Sequence, residues 1–547
     1  MKIRLVLLSF ILCSQIGLVA QDASTTYWVK LKDKKGTPFQ ISQPEAFLSQ
    51  RSIDRRRKQL ISIDETDLPV SPVYLDNLKI LGAEVVHTSK WLNGATVRIL
   101  DTTLTKTIRD LPFVQSVQLT KPSKVIKSAR LKFNEPEEKA DNPPAHYGNA
   151  YNQLSQLNGQ YLHNKSFRGK GIQIAVIDAG FWNVNVIAAF DSLRTTNRIF
   201  GTRDFVDPQS NIYLQNSHGM SVLSTMGGNI PGTLVGTAPD ASFYLFRSED
   251  AATEYLVEED NWVAAAELAD SVGVDVINSS LGYSLFDDPK MNHPYSDMDG
   301  AKNRVTQGAN MAFEKGILVF TSAGNEGNNE WRHIISPSDG KNVIAVAAVD
   351  KSGIRASFSS VGPAYGGAVK PNVAAQGLST FLVTSKGEIG TSNGTSFASP
   401  VLAGMGACLM QANPKASIKQ IKLAIEQSAS MYLTPDSLLG FGIPDFLKAD
   451  LMLKSLEVKS SDTGSSWAVL PNPFSDYIFI RQLDTAKFES CLINIYSIQG
   501  VSLWESTFTS TEAILLKNLS NLPHGFLLLT IRSGEKKEEF KLIKISR

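Results

Sequence analysis

The chain of 547 residues is poor in cysteine, with only Cys13, Cys408 and Cys491. Cys13 falls in an N-terminal leader, and the other two are far apart, so neither a disulfide framework nor a cysteine-ligated metal site can be argued. Long apolar runs are absent too: nothing after the leader approaches the ~20 residues that a membrane-crossing helix needs. An excess of one charge sign is also lacking. Lys and Arg number 54 against 53 Asp and Glu, a formal charge of +1, which gives no general pull toward nucleic acid or an anionic surface. What remains is ordinary globular composition, 42% apolar and 20% charged, in a chain long enough for about three or four domains.

Lys2 and Arg4 precede an apolar run from Leu5 to Leu12, and small Ala20 gives way to polar Gln21-Asp22. That order predicts a secretory signal peptide over 1–20. Residues 21–120 read as a small α/β unit, with strands near 27–31, 84–87, 95–100 and 114–119 and helices over 44–60 and 72–81. The run Arg55-Arg56-Arg57-Lys58 reads as a solvated basic helix face, with a processing or anion site as the alternative. Residues 121–146 turn Lys-, Glu- and Pro-rich, the composition of an exposed linker and a natural place for proteolytic processing.

A large domain is expected over 147–455. Continuous apolar strands (172–177, 243–246, 274–277, 317–320, 343–349) alternate with helical stretches (261–272, 300–315). This predicts an α/β fold of three layers, a mostly parallel sheet covered on both faces. In such folds functional groups collect beyond the carboxyl ends of the strands. Asp178 ends the first strand, where a carboxylate is costly to bury without partners; a helix cap or turn is the alternative role. His218, in Asn216-Ser217-His218-Gly219, opens a helix and is either a structural histidine or a base needing a carboxylate to fix its tautomer. Asn325, in Ser322-Ala323-Gly324-Asn325-Glu326-Gly327, is either a turn residue or an amide donor. Ser396, in Gly394-Thr395-Ser396-Phe397-Ala398-Ser399-Pro400, has small neighbours and stands at a helix start, where free backbone N–H groups point outward. A serine hydroxyl there needs a base to become a nucleophile.

Taken in order, Asp178, His218, Asn325 and Ser396 with these strings resemble the subtilisin-like serine proteases. The resemblance covers about 147–450 and implies a triad of Ser396, His218 and Asp178, with the Asn325 amide in the oxyanion hole. It also implies that Ser279, Ser280, Leu281 and Gly282 form a strand that pairs with substrate backbone. Residues 21–120 then take the place of a prodomain that covers the cleft as an intramolecular inhibitor. No cofactor is required. Calcium is common in the family, but no metal site is assigned: Asp287, Asp288, Asp297 and Asp299 lack EF-hand spacing and read as a solvated acidic loop. Ala179, Met220 and Phe397 depart from the commoner family residues without removing a reacting group.

After a polar linker over 456–466, residues 467–547 read as a β-sandwich. Pro471-Asn472-Pro473-Phe474, Leu522-Pro523-His524-Gly525 and the terminal Lys541-Leu542-Ile543-Lys544 resemble the sorting domain of type IX secretion cargo. The expectation is therefore a serine endopeptidase of broad specificity acting on proteins or peptides, with no nucleic-acid partner. It is exported through the periplasm of a Gram-negative bacterium by the type IX machinery and is secreted or held at the cell surface. The alternative is a catalytically silent peptide-binding or surface-adhesion protein.

Overall fold

The computed structural model describes residues 24–125, 132–133, 146–458, 465–483, 490–509 and 513–546. The expected signal peptide and most of both expected linkers lie outside them.

The N-terminal unit is a four-stranded sheet in the order Glu84–Ser89, Gly94–Ile99, Thr25–Leu31, Val114–Lys121, with every neighbouring pair antiparallel. Val29, Leu31, Val97 and Ile99 pack with Leu78 and Ile108 of the covering helices Pro72–Ile80 and Leu104–Arg109. The expected 44–60 helix divides into a 3-10 turn, Pro44–Ala46, and the helix Gln50–Gln59, which starts where Ser49 Oγ accepts from Ser52 N at 3.2 Å.

The basic run on that helix is not a solvated face. Arg57 and Lys58 are exposed, but Arg55 and Arg56 are buried against the large domain. Arg55 Nη2 is 2.5 Å and Arg56 Nη1 3.0 Å from Asp270 Oδ1, and Lys90 Nζ is 3.0 Å from Asp270 Oδ2. Charges taken out of water at this depth persist only where they are paired and hydrogen-bonded. Arg55 also donates to the Val274 carbonyl at 2.5 Å, while Lys315 of the large domain reaches back to Asp67 at 3.0 Å. Glu267 joins the seam by accepting from the backbone N–H groups of Lys90, at 2.8 Å, and Trp91, at 3.1 Å.

The large domain is built on a seven-stranded parallel sheet in the order Val373–Gln376, Ile344–Val349, Leu318–Ser322, Val276–Ser279, Gln173–Asp178, Ser242–Arg247, Ile199–Asp204. Ile174, Ala175, Val176 and Ile177 are all fully buried, as a strand covered on both faces requires. The helix Thr395–Ala412 runs through the core with small residues at its closest approaches. A Cβ on Gly404 would lie 2.1 Å from Thr237 Oγ1.

The C-terminal region is a sandwich of a three-stranded sheet (Trp467–Leu470, Ile478–Gln482, Ala513–Leu516) and a four-stranded one (Ser502–Phe508, Cys491–Ser497, Gly525–Ser533, Lys536–Lys544). Ile480, Ile493, Ile495, Leu529 and Leu542 belong to its buried core. It leans on the large domain where Phe479 packs with Leu447 and Leu451 of the helix Phe446–Ser455. Among the described residues, no helix is long and apolar enough to cross a membrane.

Candidate active site

Asp178 closes the strand Gln173–Asp178 near the middle of the sheet and is fully buried. Its Oδ1 accepts from the Ala179 N–H at 2.8 Å and lies 2.7 Å from His218 Nδ1. That contact places the ring proton on Nδ1 and leaves Nε2 free to take one. Asp178 Oδ2 has no protein partner among the described residues. His218 is the first residue of the helix His218–Gly227, and its backbone N–H donates to Asn216 Oδ1 at 2.8 Å. Gly219 has to be glycine here, because a Cβ would fall 2.5 Å from the Gly180 carbonyl oxygen and 2.8 Å from Asp178 Cβ.

Ser396 is the second residue of the Thr395–Ala412 helix, buried but lining a cavity of about 890 Å³. Its hydroxyl donates to the Ser280 carbonyl at 3.3 Å, and among the described residues no hydrogen bond joins it to His218. Catalytic hydrogen bonds are often long or unmade before substrate binds. Pro400, inside the same helix, has no N–H to offer the Ser396 carbonyl four residues earlier. Ser280 Oγ fills that gap by donating to the Ser396 carbonyl at 2.7 Å. Asn325 follows the strand Leu318–Ser322, and its Oδ1 accepts from both Thr395 N and Thr395 Oγ1 at 2.9 Å. The carbonyl end of the amide is thus committed to the helix, and its NH₂ is left for the cavity that Asn325 lines with Ser396.

Of the expected substrate-binding residues, Ser280, Leu281 and Gly282 line this cavity. Ser279 does not: it is fully buried, and its hydroxyl accepts from Trp262 Nε1 at 2.8 Å. The acidic loop also differs from expectation. Asp297 is buried and pairs with Lys302 at 2.5 Å, and Asp288 caps the turn Pro289–Met291.

The sequence profile of the subtilase family matches residues 169–442, the stretch that carries all four of these residues. Subtilisin NAT of Bacillus subtilis subsp. natto is 30% identical over 295 residues, which cover 53% of this chain and 68% of that protein. The chain belongs to the subtilase family. A subtilisin of Bacillus pumilus is 29% identical over 295 residues, covering 94% of its own length. The profile of the peptidase S8 propeptide domain of Bacteroidota matches residues 26–137, and that of a secretion-system C-terminal sorting domain matches 468–545. This subtilase is a secreted serine endopeptidase made with a propeptide and a sorting tail for export.

The propeptide match runs past residue 120 into the stretch read as a linker, and part of that stretch lies in the active site. The Phe133 ring stacks on the His218 imidazole, with centroids 4.1 Å apart and planes at 30°. Lys132 reaches into the same cavity, to Glu249 at 2.6 Å, Glu254 at 2.8 Å and Glu258 at 3.0 Å. Among the described residues, these three are the one acidic group spaced to hold a metal ion, and a lysine ammonium sits between them. Sequence reasoning missed this trio because no motif marks it. It also missed Thr395 and Pro400 as positioning residues, although both stand inside the Ser396 string.

Proposed function

We propose that this subtilase hydrolyses peptide bonds by acyl transfer at Ser396. His218 Nε2 accepts the Ser396 proton as the hydroxyl attacks the peptide carbonyl, forming the C–O bond. Asp178 holds the ring by its Nδ1–H and stabilises the imidazolium without taking the proton. The Asn325 amide and the Ser396 backbone N–H stabilise the oxyanion. His218 then protonates the leaving amine, and water releases the acyl-enzyme by the reverse proton route. The observation that carries this reading is the 2.7 Å contact of Asp178 Oδ1 with His218 Nδ1, at a cavity shared by Ser396 and Asn325. The route calls on no metal or cofactor, and calcium would have only a structural part. Ser280, Leu281 and Gly282 support pairing with substrate backbone, which favours broad specificity.

In this reading residues 21–120 and the strand of chain that follows inhibit the enzyme from within, and maturation cuts between Lys121 and Pro144. The signal peptide over 1–20 takes the chain to the periplasm of a Gram-negative cell, and residues 467–547 pass it on through the type IX machinery. The test is wild type against Ser396→Ala, read by intact mass and by fluorophosphonate labelling. Wild type should shorten and label; Ser396→Ala should stay long and unlabelled. A processed wild-type protein that does not label would favour the silent, peptide-binding alternative. Deletion of residues 467–547 should keep the protein inside the cell.

A further inference from the structure

The cavity beside Ser396 has an acidic end. Glu249 follows the strand Ser242–Arg247, Glu254 lies in the next loop, and Glu258 stands in the first turn of the helix Val257–Val272. Their carboxylate oxygens come within 4.8 Å of one another, with side chains 4%, 17% and 2% exposed. The large domain surrounds them with neutral donors: the Tyr283 hydroxyl at 3.0 Å from Glu249 and the Asp250 N–H at 3.1 Å from Glu258. Among the described residues, the one cation within ion-pair distance of any of the three is Lys132.

Three carboxylates this close and this dry repel one another. Burial, and then the neighbouring Glu249, raise Glu254 to about 8 and push Glu258 well above the ordinary range. Burial would lower Lys132, but Glu249, Glu258 and Glu254 more than offset it and keep the ammonium charged. The cation comes from the stretch matched by the propeptide profile; a processing cut beyond Phe133 would take it away and leave the carboxylates without a counter-ion. Lys132 and Phe133 lie in the cleft as a substrate would, one side chain among the acids and the next on the catalytic base.

We propose that Glu249, Glu254 and Glu258 form a specificity pocket for a lysine of the protein substrate, the residue just before the one that packs on His218, and that Lys132 occupies it in the precursor. The shape of the site favours lysine over arginine. An ammonium offers three divergent donors: Nζ donates to Glu249, Glu258 and the Asp250 carbonyl at 2.6–3.0 Å and lies 2.8 Å from Glu254. A planar guanidinium fork suits a single carboxylate better.

This proposal rests on Ser396 and His218 as the reacting pair, and its test separates the two. The full chain is allowed to process itself; one portion is labelled with a fluorophosphonate to count competent serine, and a second, unlabelled portion is assayed, in chelator, on fluorogenic peptides holding Lys-Phe, Arg-Phe or norleucine-Phe. For protein that labels, kcat/KM on the lysine peptide should exceed that on the norleucine peptide by about 10- to 100-fold, the scale of a charged hydrogen-bond set, with arginine between them. Glu249→Gln with Glu258→Gln should collapse that ratio toward about one, and the more exposed Glu254→Gln should reduce it part-way. Wild type that labels in the first portion and, in the unlabelled portion, cuts the lysine and norleucine peptides equally overturns the pocket. Processed protein that fails to label overturns the reading of Ser396 instead.

Discussion

Replacing Asp270 by asparagine removes one charge from a place where it holds three cations. Arg55, Arg56 and Lys90 all lie within 3.0 Å of its carboxylate, and none of the four side chains is more than 10% exposed. Removing one partner of a buried ion pair costs about 3–5 kcal/mol, because the remaining charge stays buried and unpaired. At about 1.4 kcal/mol per tenfold, the docking of the N-terminal unit should weaken by roughly two to four orders of magnitude. Arg56 keeps Asp67 at 2.6 Å, so the lower part of that range is expected. Hydrogen exchange on the uncut Ser396→Ala chain measures this directly. Amides of the helix Gln50–Gln59 should exchange about 100-fold faster or more in the Asp270→Asn chain, while those of the fully buried sheet strand Ile344–Val349 hold. An acceleration below about threefold would refute the reasoning. Equal acceleration in both places would show that Asp270 supports the large domain itself. Burial alone would raise the Asp270 carboxyl, but Lys90, Arg55 and Arg56 hold it well below its ordinary value. A carboxyl depressed on docking stabilises the docked state above its free pKa and loses that only as pH falls through the docked one. Through Asp270, docking should therefore hold from neutral pH to about pH 4 and weaken only below it, whereas Glu267, raised by burial to about 7, adds to docking as it takes up its proton.

Asn325→Ala should lower kcat by about 10²–10³ with little change in KM, as loss of one oxyanion donor does; an unchanged kcat would remove Asn325 from the reaction. Gly219→Ala should cost about 1–3 kcal/mol of overpacking by thermal denaturation and lower kcat as well, since its Cβ would press on Asp178. Ser280→Ala strips the Ser396 carbonyl of the hydroxyl that stands in for the missing Pro400 N–H. It should destabilise the fold by about 1–3 kcal/mol in denaturant titration, and a neutral result would mean that the carbonyl finds another donor.

The four candidate site residues were legible because each stands at the end of an element within a short string: Asp178 at a strand end, His218 and Ser396 at helix starts, Asn325 just past a strand. Five strands of the central sheet could be read from continuous apolar runs. Ile199–Asp204 could not, because an edge strand with exposed Phe200, Thr202 and Arg203 carries no such run. Lys536–Lys544 was hidden for a similar reason, with Lys536, Lys537, Glu539 and Lys541 standing in solvent. The fate of Arg55 and Arg56 was invisible locally, since Asp270 lies more than 200 positions further along the chain. A run of basic residues looks the same whether its partner is water or a buried carboxylate. The acidic pocket was missed likewise: its meaning comes from Lys132, which precedes it by 117 positions in sequence and meets it only in the fold.

The seam between Asp270 and the arginines has a consequence for the mature enzyme in solution. Residues 26–137 carry 19 Lys and Arg against 12 Asp and Glu, whereas residues 138–547 carry 33 against 40. The near-zero charge of the whole chain is thus a cancellation between two parts that a cut at the end of the propeptide match would separate. Once apart, a cationic fragment and an anionic enzyme attract over a Debye length, about 8 Å at physiological ionic strength. Salt should slow their encounter, while the dry contacts at Asp270 keep the lifetime of the rejoined pair nearly constant. Release of such a fragment should then be governed less by dilution than by its destruction.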